Sequence, residues 1–155
     1  MTGEKWTIYW NEYSSNTYLY GSEVTFHKKD DVEYHNLLMP PGTVIKEWFS
    51  KTNFQIQRIE PALPIIDGES QYKITINIDT PVGENCLARL VFYDRYEVEA
   101  GSLTLRDRET VFRCPLKTYS YRLQLINGGV TNFHFHSVVI QEVIDGTEEA
   151  SKTTK

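Results

Sequence analysis

Apolar and polar residues alternate along most of this chain, and the pattern is clearest where Tyr72, Ile74, Ile76 and Ile78 interleave with Lys73, Thr75 and Asn77. A period of two predicts a strand buried on one face. The same period recurs at Trp6, Ile8 and Trp10, at Val24 and Phe26, and at Tyr119, Tyr121, Leu123 and Leu125. These runs favour the aromatic and β-branched residues that fit a pleated, half-buried surface. Residues 86–93, CLARLVFY, are apolar on both faces near their centre, as expected of a strand inside a sheet. Turn chemistry separates the runs at Pro40-Pro41-Gly42, Asp67-Gly68, Pro81-Val82-Gly83 and Asn127-Gly128-Gly129.

Two segments break the simple period. Val44, Ile45, Trp48 and Phe49 also fit one face of a short helix with Lys46 and Glu47 outside, although a strand is the expectation. From Phe133 to Ile144 the apolar face switches after His136, which predicts a bulge or an edge twist in place of a regular strand. Many short strands with regular turns define an all-β fold, a jelly-roll-like antiparallel β-sandwich, with a closed barrel as the alternative. Residues 1–144 are expected to form a single domain. The polar stretch 145–155 has no aromatic or branched aliphatic residue to offset its ordering entropy and is expected to be a flexible tail.

Composition narrows the function. A chain of 155 residues that is 40% hydrophobic can bury a core without disulfide or metal staples. Its 16 basic and 21 acidic residues give a net charge of -5, which argues against nucleic acid as a partner. The start, MTGEKWTIYW, has no apolar signal-peptide core, and no stretch approaches the roughly 20 apolar residues of a membrane span. A cytoplasmic location follows as the expectation. Cys86 and Cys114 lack disulfide-framework or zinc spacing and read as reduced, partly buried thiols.

No phosphate loop, nucleophile elbow, zinc helix or calcium loop occurs in the sequence. His134 and His136 stand two apart and so share a strand face, but no third metal ligand is evident. His27 and His35 lie near Asp30, Asp31 and Glu33 in a hairpin, where ordinary solvation accounts for them. Glu97 and Glu99 share a strand face but read as a solvated edge beside Asp94 and Arg95. Neither catalysis, nor a metal, nor a cofactor is expected. The 10 Tyr, 7 Phe and 3 Trp suit both sheet packing and recognition surfaces. Most of them, Trp6, Trp10 and Trp48 included, are assigned to core or sheet-face packing, with a surface role for Trp48 as the competing reading taken up below.

Several strings together resemble a known family: SSNTYLYGSEVTF at 14–26, HNLLMPPGTVIKEWFSKTNFQ at 35–55, ALPII at 62–66, RLVFYDRY at 89–96 and YSYRLQLINGGVTNFHFHSVVIQEV at 119–143. The chain is similar to the third accessory Sec system proteins of streptococci and staphylococci over nearly its whole length. The resemblance implies a fold like that of carbohydrate-binding modules. It also implies a non-enzymatic, adaptor- or chaperone-like cytosolic subunit, peripheral to the membrane through its partners, which helps export serine-rich repeat glycoprotein adhesins. The implied partners are the first and second accessory Sec proteins, the accessory SecA motor and the glycoprotein substrate, including its glycans. A lectin-like module for N-acetylglucosamine-containing glycans is the alternative. Trp48, Phe49, Tyr93 and Tyr96, aromatics set beside charges, are the candidate partner-binding residues.

Overall fold

The computed structural model describes residues 2–10, 21–50, 63–64, 66–105 and 107–143. Ten strands form over these residues: β1 (Thr2–Ile8), β2 (Glu23–Lys28), β3 (Asp31–His35), β4 (Val44–Phe49), β5 (Gln71–Asp79), β6 (Cys86–Tyr93), β7 (Glu99–Leu105), β8 (Glu109–Arg113), β9 (Ser120–Asn127) and β10 (Asn132–Val143). They make two antiparallel sheets. Sheet A runs β2-β3-β10-β5-β8 with β1 also on β10, and sheet B runs β4-β9-β6-β7. The expected sandwich is therefore the fold, with CLARLVFY between two neighbours in sheet B. β3 completes the expected hairpin with β2, whereas the bounds of the short strands β7 and β8 had no clear period, because EAGSLTL and ETVFR carry little apolar–polar contrast.

β10 organises sheet A. Its first residues pair with β3, its last with β1 on the same edge, and β5 lies along the opposite edge. Register slips between Phe135 and Ser137, so His136 is the extra residue of a bulge. That bulge explains the switched pattern: Phe133 and Phe135 point into the core before it, Val138 and Ile140 after it. β4 uses the same device. Its register slips between Val44 and Lys46, which buries Ile45 and Lys46 in succession and accounts for the helix-like spacing of this strand.

Aromatic rings tie the sheets together at two places. Trp48 of sheet B stacks on Phe135 of sheet A with centroids 5.3 Å apart, and Trp10 meets both rings edge-on at 6.2 and 5.8 Å. Tyr34 and Phe133 extend this cluster. Phe92 of sheet B bridges similarly to Phe112 and Tyr121, and Tyr72 packs on Phe112. Such pairs add to the burial of large apolar surfaces. Tyr121 also donates its hydroxyl to the Pro64 carbonyl at 2.5 Å, which holds the chain after β4 against the sandwich. Burial pushes its phenol up in pKa.

Buried polar groups secure the ends. Asn127 donates to the carbonyls of Met39 and Pro40 and accepts from the amides of Gly129 and Val130. One side chain thus joins the β3–β4 and β9–β10 connections. The predicted turn at Asp67-Gly68 needs its glycine for space, because a Cβ on Gly68 would overlap the Leu116 carbonyl. Cys86 and Cys114 are free, and burial raises both thiols, Cys86 to about 12.

Lys46 is fully buried with its ammonium 5.8 Å from the Trp10 ring centroid and 5.9 Å from that of Trp48. Desolvation lowers its pKa to about 8.

Trp48→Ala should destabilise the domain by about 3–5 kcal/mol through cavity formation, measured as a lowered urea midpoint. Half-exposed Phe49→Ala should cost about 1 kcal/mol. Equal losses at both positions would contradict this packing. Because the folded state holds Lys46 below its unfolded pKa, the unfolded chain binds the extra proton between about pH 8 and 10.5, and stability rises with pH across that window. Subtracting the Lys46→Met stability curve from the wild-type curve should isolate this rise from thiol and phenol ionisation. A flat difference would contradict the lowered pKa.

Candidate functional site

The four aromatic candidates separate. Trp48 is 2% exposed and belongs to the core, so it contributes packing and presents no surface. Phe49 and Tyr93 lie on the outer face of sheet B, half-buried, because they alternate with the inward Trp48 and Phe92. Tyr96 is 79% exposed in the β6–β7 turn. The turn itself is held by Asp94, whose carboxylate accepts from the amides of Tyr96 and Val98.

Between Phe49 and Tyr93 lies a residue that sequence reasoning missed. The Arg122 guanidinium sits 5.1 Å from the centroid of each ring. Arg122 is on β9, which runs between β4 and β6, and it pairs in register with Phe49 on one side and Val91 on the other. Its place next to inward Tyr121 was the available signal: the period that buries Tyr121 turns Arg122 outward. Glu47, one pleat along β4, lies 3.7 Å from Arg122 and accepts from Gln124 at 2.7 Å. Arg89 Nε and Gln124 Oε1, on residues paired across β6 and β9, are buried without hydrogen-bond partners among the described residues. Exposed Val98 and Tyr119 lie near this end of the sheet, where the Asp94 amide bonds the Val98 carbonyl at 2.9 Å and the Tyr119 amide bonds the Tyr93 carbonyl at 2.7 Å.

The outer face of sheet A carries a different chemistry. His27 pairs with Glu33, His134 with Asp31 and His136 with Asp79, each at 2.8 Å, and His136 also bonds the Asp30 carbonyl at 2.7 Å. The His27 and His134 rings stack at 6.0 Å. Simple solvation does not describe His27, which belongs to this four-strand cluster. The hydrogen bonds from His134 and His27 hold the Asp31 and Glu33 carboxyls below their usual range, while Asp79 raises His136. No group of three or more His, Cys, Asp or Glu among the described residues has geometry for a metal ion. His134 and His136 do share the outer face, each spent on its own carboxylate. Glu97 and Glu99 do not form the expected strand pair, since Glu97 adopts φ 62° in the turn and only Glu99 is in β7.

The arrangement defines a two-sheet antiparallel sandwich with an aromatic–guanidinium patch on one outer face and three histidine–carboxylate pairs on the other. Residues 17–142 match the family model described as "Accessory Sec secretory system ASP3". The chain belongs to that accessory Sec family. The accessory Sec system protein of the same designation from Streptococcus gordonii is 35% identical over 147 residues, covering 89% of this chain and 92% of the relative. A crystal structure of accessory secretory proteins 1, 2 and 3 in Streptococcus pneumoniae contains a chain 28% identical with TM-score 0.84, covering 89% of this chain and 96% of that one. A glycosylation associate protein complex from Streptococcus agalactiae contains one 30% identical with TM-score 0.83; it covers 96% of this chain, which spans 49% of that longer chain. No helix of the described residues is long and apolar enough to cross a membrane.

NMR titration should place the His136 imidazole above the ordinary value of about 6.5. Asp79→Asn should lower it. The stabilisation linked to His136 is complete below the unfolded pKa and fades as pH rises through the folded one. An unshifted His136 in wild type would contradict the pairing.

Proposed function

We propose that this chain is a non-enzymatic adaptor subunit of the accessory Sec system. It assembles in the cytoplasm with the first and second accessory Sec proteins and, through them, serves the accessory SecA motor in exporting serine-rich repeat glycoproteins. The observation that carries this reading is the Phe49–Arg122–Tyr93 patch on the outer face of sheet B, in a chain whose relatives are solved as multiprotein complexes. Stacked arginine and tyrosine are the usual anchors of protein interfaces. Arg122 is already held by two rings and Glu47, so docking orders it at little further entropic cost. Tyr96 adds an exposed aromatic in the turn that follows Tyr93.

Glycan recognition is the competing use of such aromatics. It is disfavoured at this patch because the rings of Phe49 and Tyr93 are already engaged by Arg122.

Tagged wild-type chain should recover the first and second accessory Sec proteins. Arg122→Ala and Tyr93→Ala should each weaken that assembly by about 2 kcal/mol, roughly thirtyfold, with unfolding midpoints near wild type. Undiminished assembly by both folded variants would reject the patch. Recovery of glycoprotein alone, released by free N-acetylglucosamine, would replace the adaptor with a lectin.

A further inference from the structure

We propose that β7 is a docking edge at which an extended segment of a partner polypeptide adds to sheet B as a fifth, antiparallel strand. The proposal rests on the adaptor reading, because assembly with other accessory proteins supplies that partner.

A strand at the edge of a sheet presents unpaired N–H and C=O groups, and folded proteins block such edges with charge, bulges or brevity. Four edge strands here are blocked. β4 has its bulge and the inward-pointing Lys46. β2 slips register between Phe26 and Lys28, with His27, Lys28 and Lys29 exposed. β1 slips between Thr2 and Lys5. β8 is five residues long with exposed Glu109 and Arg113 at its ends.

β7 differs. Its register with β6 slips only between Phe92 and Tyr93, which puts the extra residue, Ala100, at the turn end. From Gly101 to Leu105 the pairing is unbroken, and the sequence GSLTL holds neither a charge nor a proline. Among the described residues this leaves an uncharged edge without a bulge, about 17 Å long at roughly 3.4 Å per residue. Leu103 points inward beside Leu90 yet is only partly covered, so the sandwich core reaches this edge unfinished.

The edge also specifies its occupant. Main-chain hydrogen bonds select an extended segment, and both sheets are antiparallel throughout. Beside Leu103 the segment carries apolar side chains, which would complete the core. At the turn end Asp94, Glu97 and Glu99 outnumber Arg95, and the whole chain carries -5, so the segment ends there in lysine or arginine. A second copy of this chain, itself at -5, is the poorer match. The edge is continuous with the proposed partner patch, because Tyr93 pairs with Glu99 across β6 and β7.

Hydrogen exchange on the full chain, alone and after assembly with the first and second accessory Sec proteins, tests the proposal. β7 amides that exchange in the free chain should slow by about tenfold or more in the complex, while the β8 edge stays unchanged. Leu103→Lys, which copies the guard on β4, should weaken assembly by about tenfold or more. Glu97→Lys with Glu99→Lys should weaken it in a salt-dependent manner, with the fold retained. A complex whose β7 amides exchange as fast as in the free chain would overturn the docking edge and leave the adaptor reading standing. Failure of wild-type chain to assemble at all would overturn both. Protection of β7 in a homodimer of the chain alone would assign the edge to a second copy and overturn the partner strand.

Discussion

The stacking of Trp48 on Phe135 is the contact on which the sandwich depends, because it joins the edge strand of one sheet to the central strand of the other. Trp10, beyond the end of β1, meets both rings and adds the N-terminal strand to the same cluster. Three segments far apart in sequence therefore converge in one aromatic contact. Removing a ring there would leave a cavity that two sheets cannot both close, since each is held by its own hydrogen-bond ladder.

That packing settles which aromatics are available for recognition. Strand alternation turns Trp48 inward and Phe49 outward, Phe92 inward and Tyr93 outward. The inner set bonds the sheets. The outer set, with Arg122 between, forms an ordered surface on sheet B, while sheet A carries His27, His134 and His136 in carboxylate pairs. The two outer faces thus have unlike chemistry: one offers rings and a guanidinium, the other titratable ion pairs.

Bulges give the fold its exceptions to simple alternation. At His136 the extra residue keeps both halves of β10 facing the core while their parity changes, and it turns the imidazole towards Asp79. At Ile45 the extra residue admits Lys46 to the interior beneath Trp10 and Trp48. These are costly placements, and each lies where a sheet would otherwise offer a regular edge or a regular face.

The sequence by itself determined the class of fold, the position of the long strands and the face-switch after His136, because alternation and turn residues are local signals read within a few residues. It also carried the family strings, which agreed with the sandwich expected from the strands and turns. Tyr72, Ile74 and Ile76 were legible as core for that reason; Trp48 was not separable from Phe49, since neither ring reveals which face of the strand meets the second sheet. Only the tertiary structure decided that Arg122 lies between Phe49 and Tyr93, that His27 joins His134, and that β7 ends the order of sheet B among the described residues. Each of those facts depends on which strands become neighbours, and strand neighbours are chosen by packing across the whole chain rather than by the residues beside them.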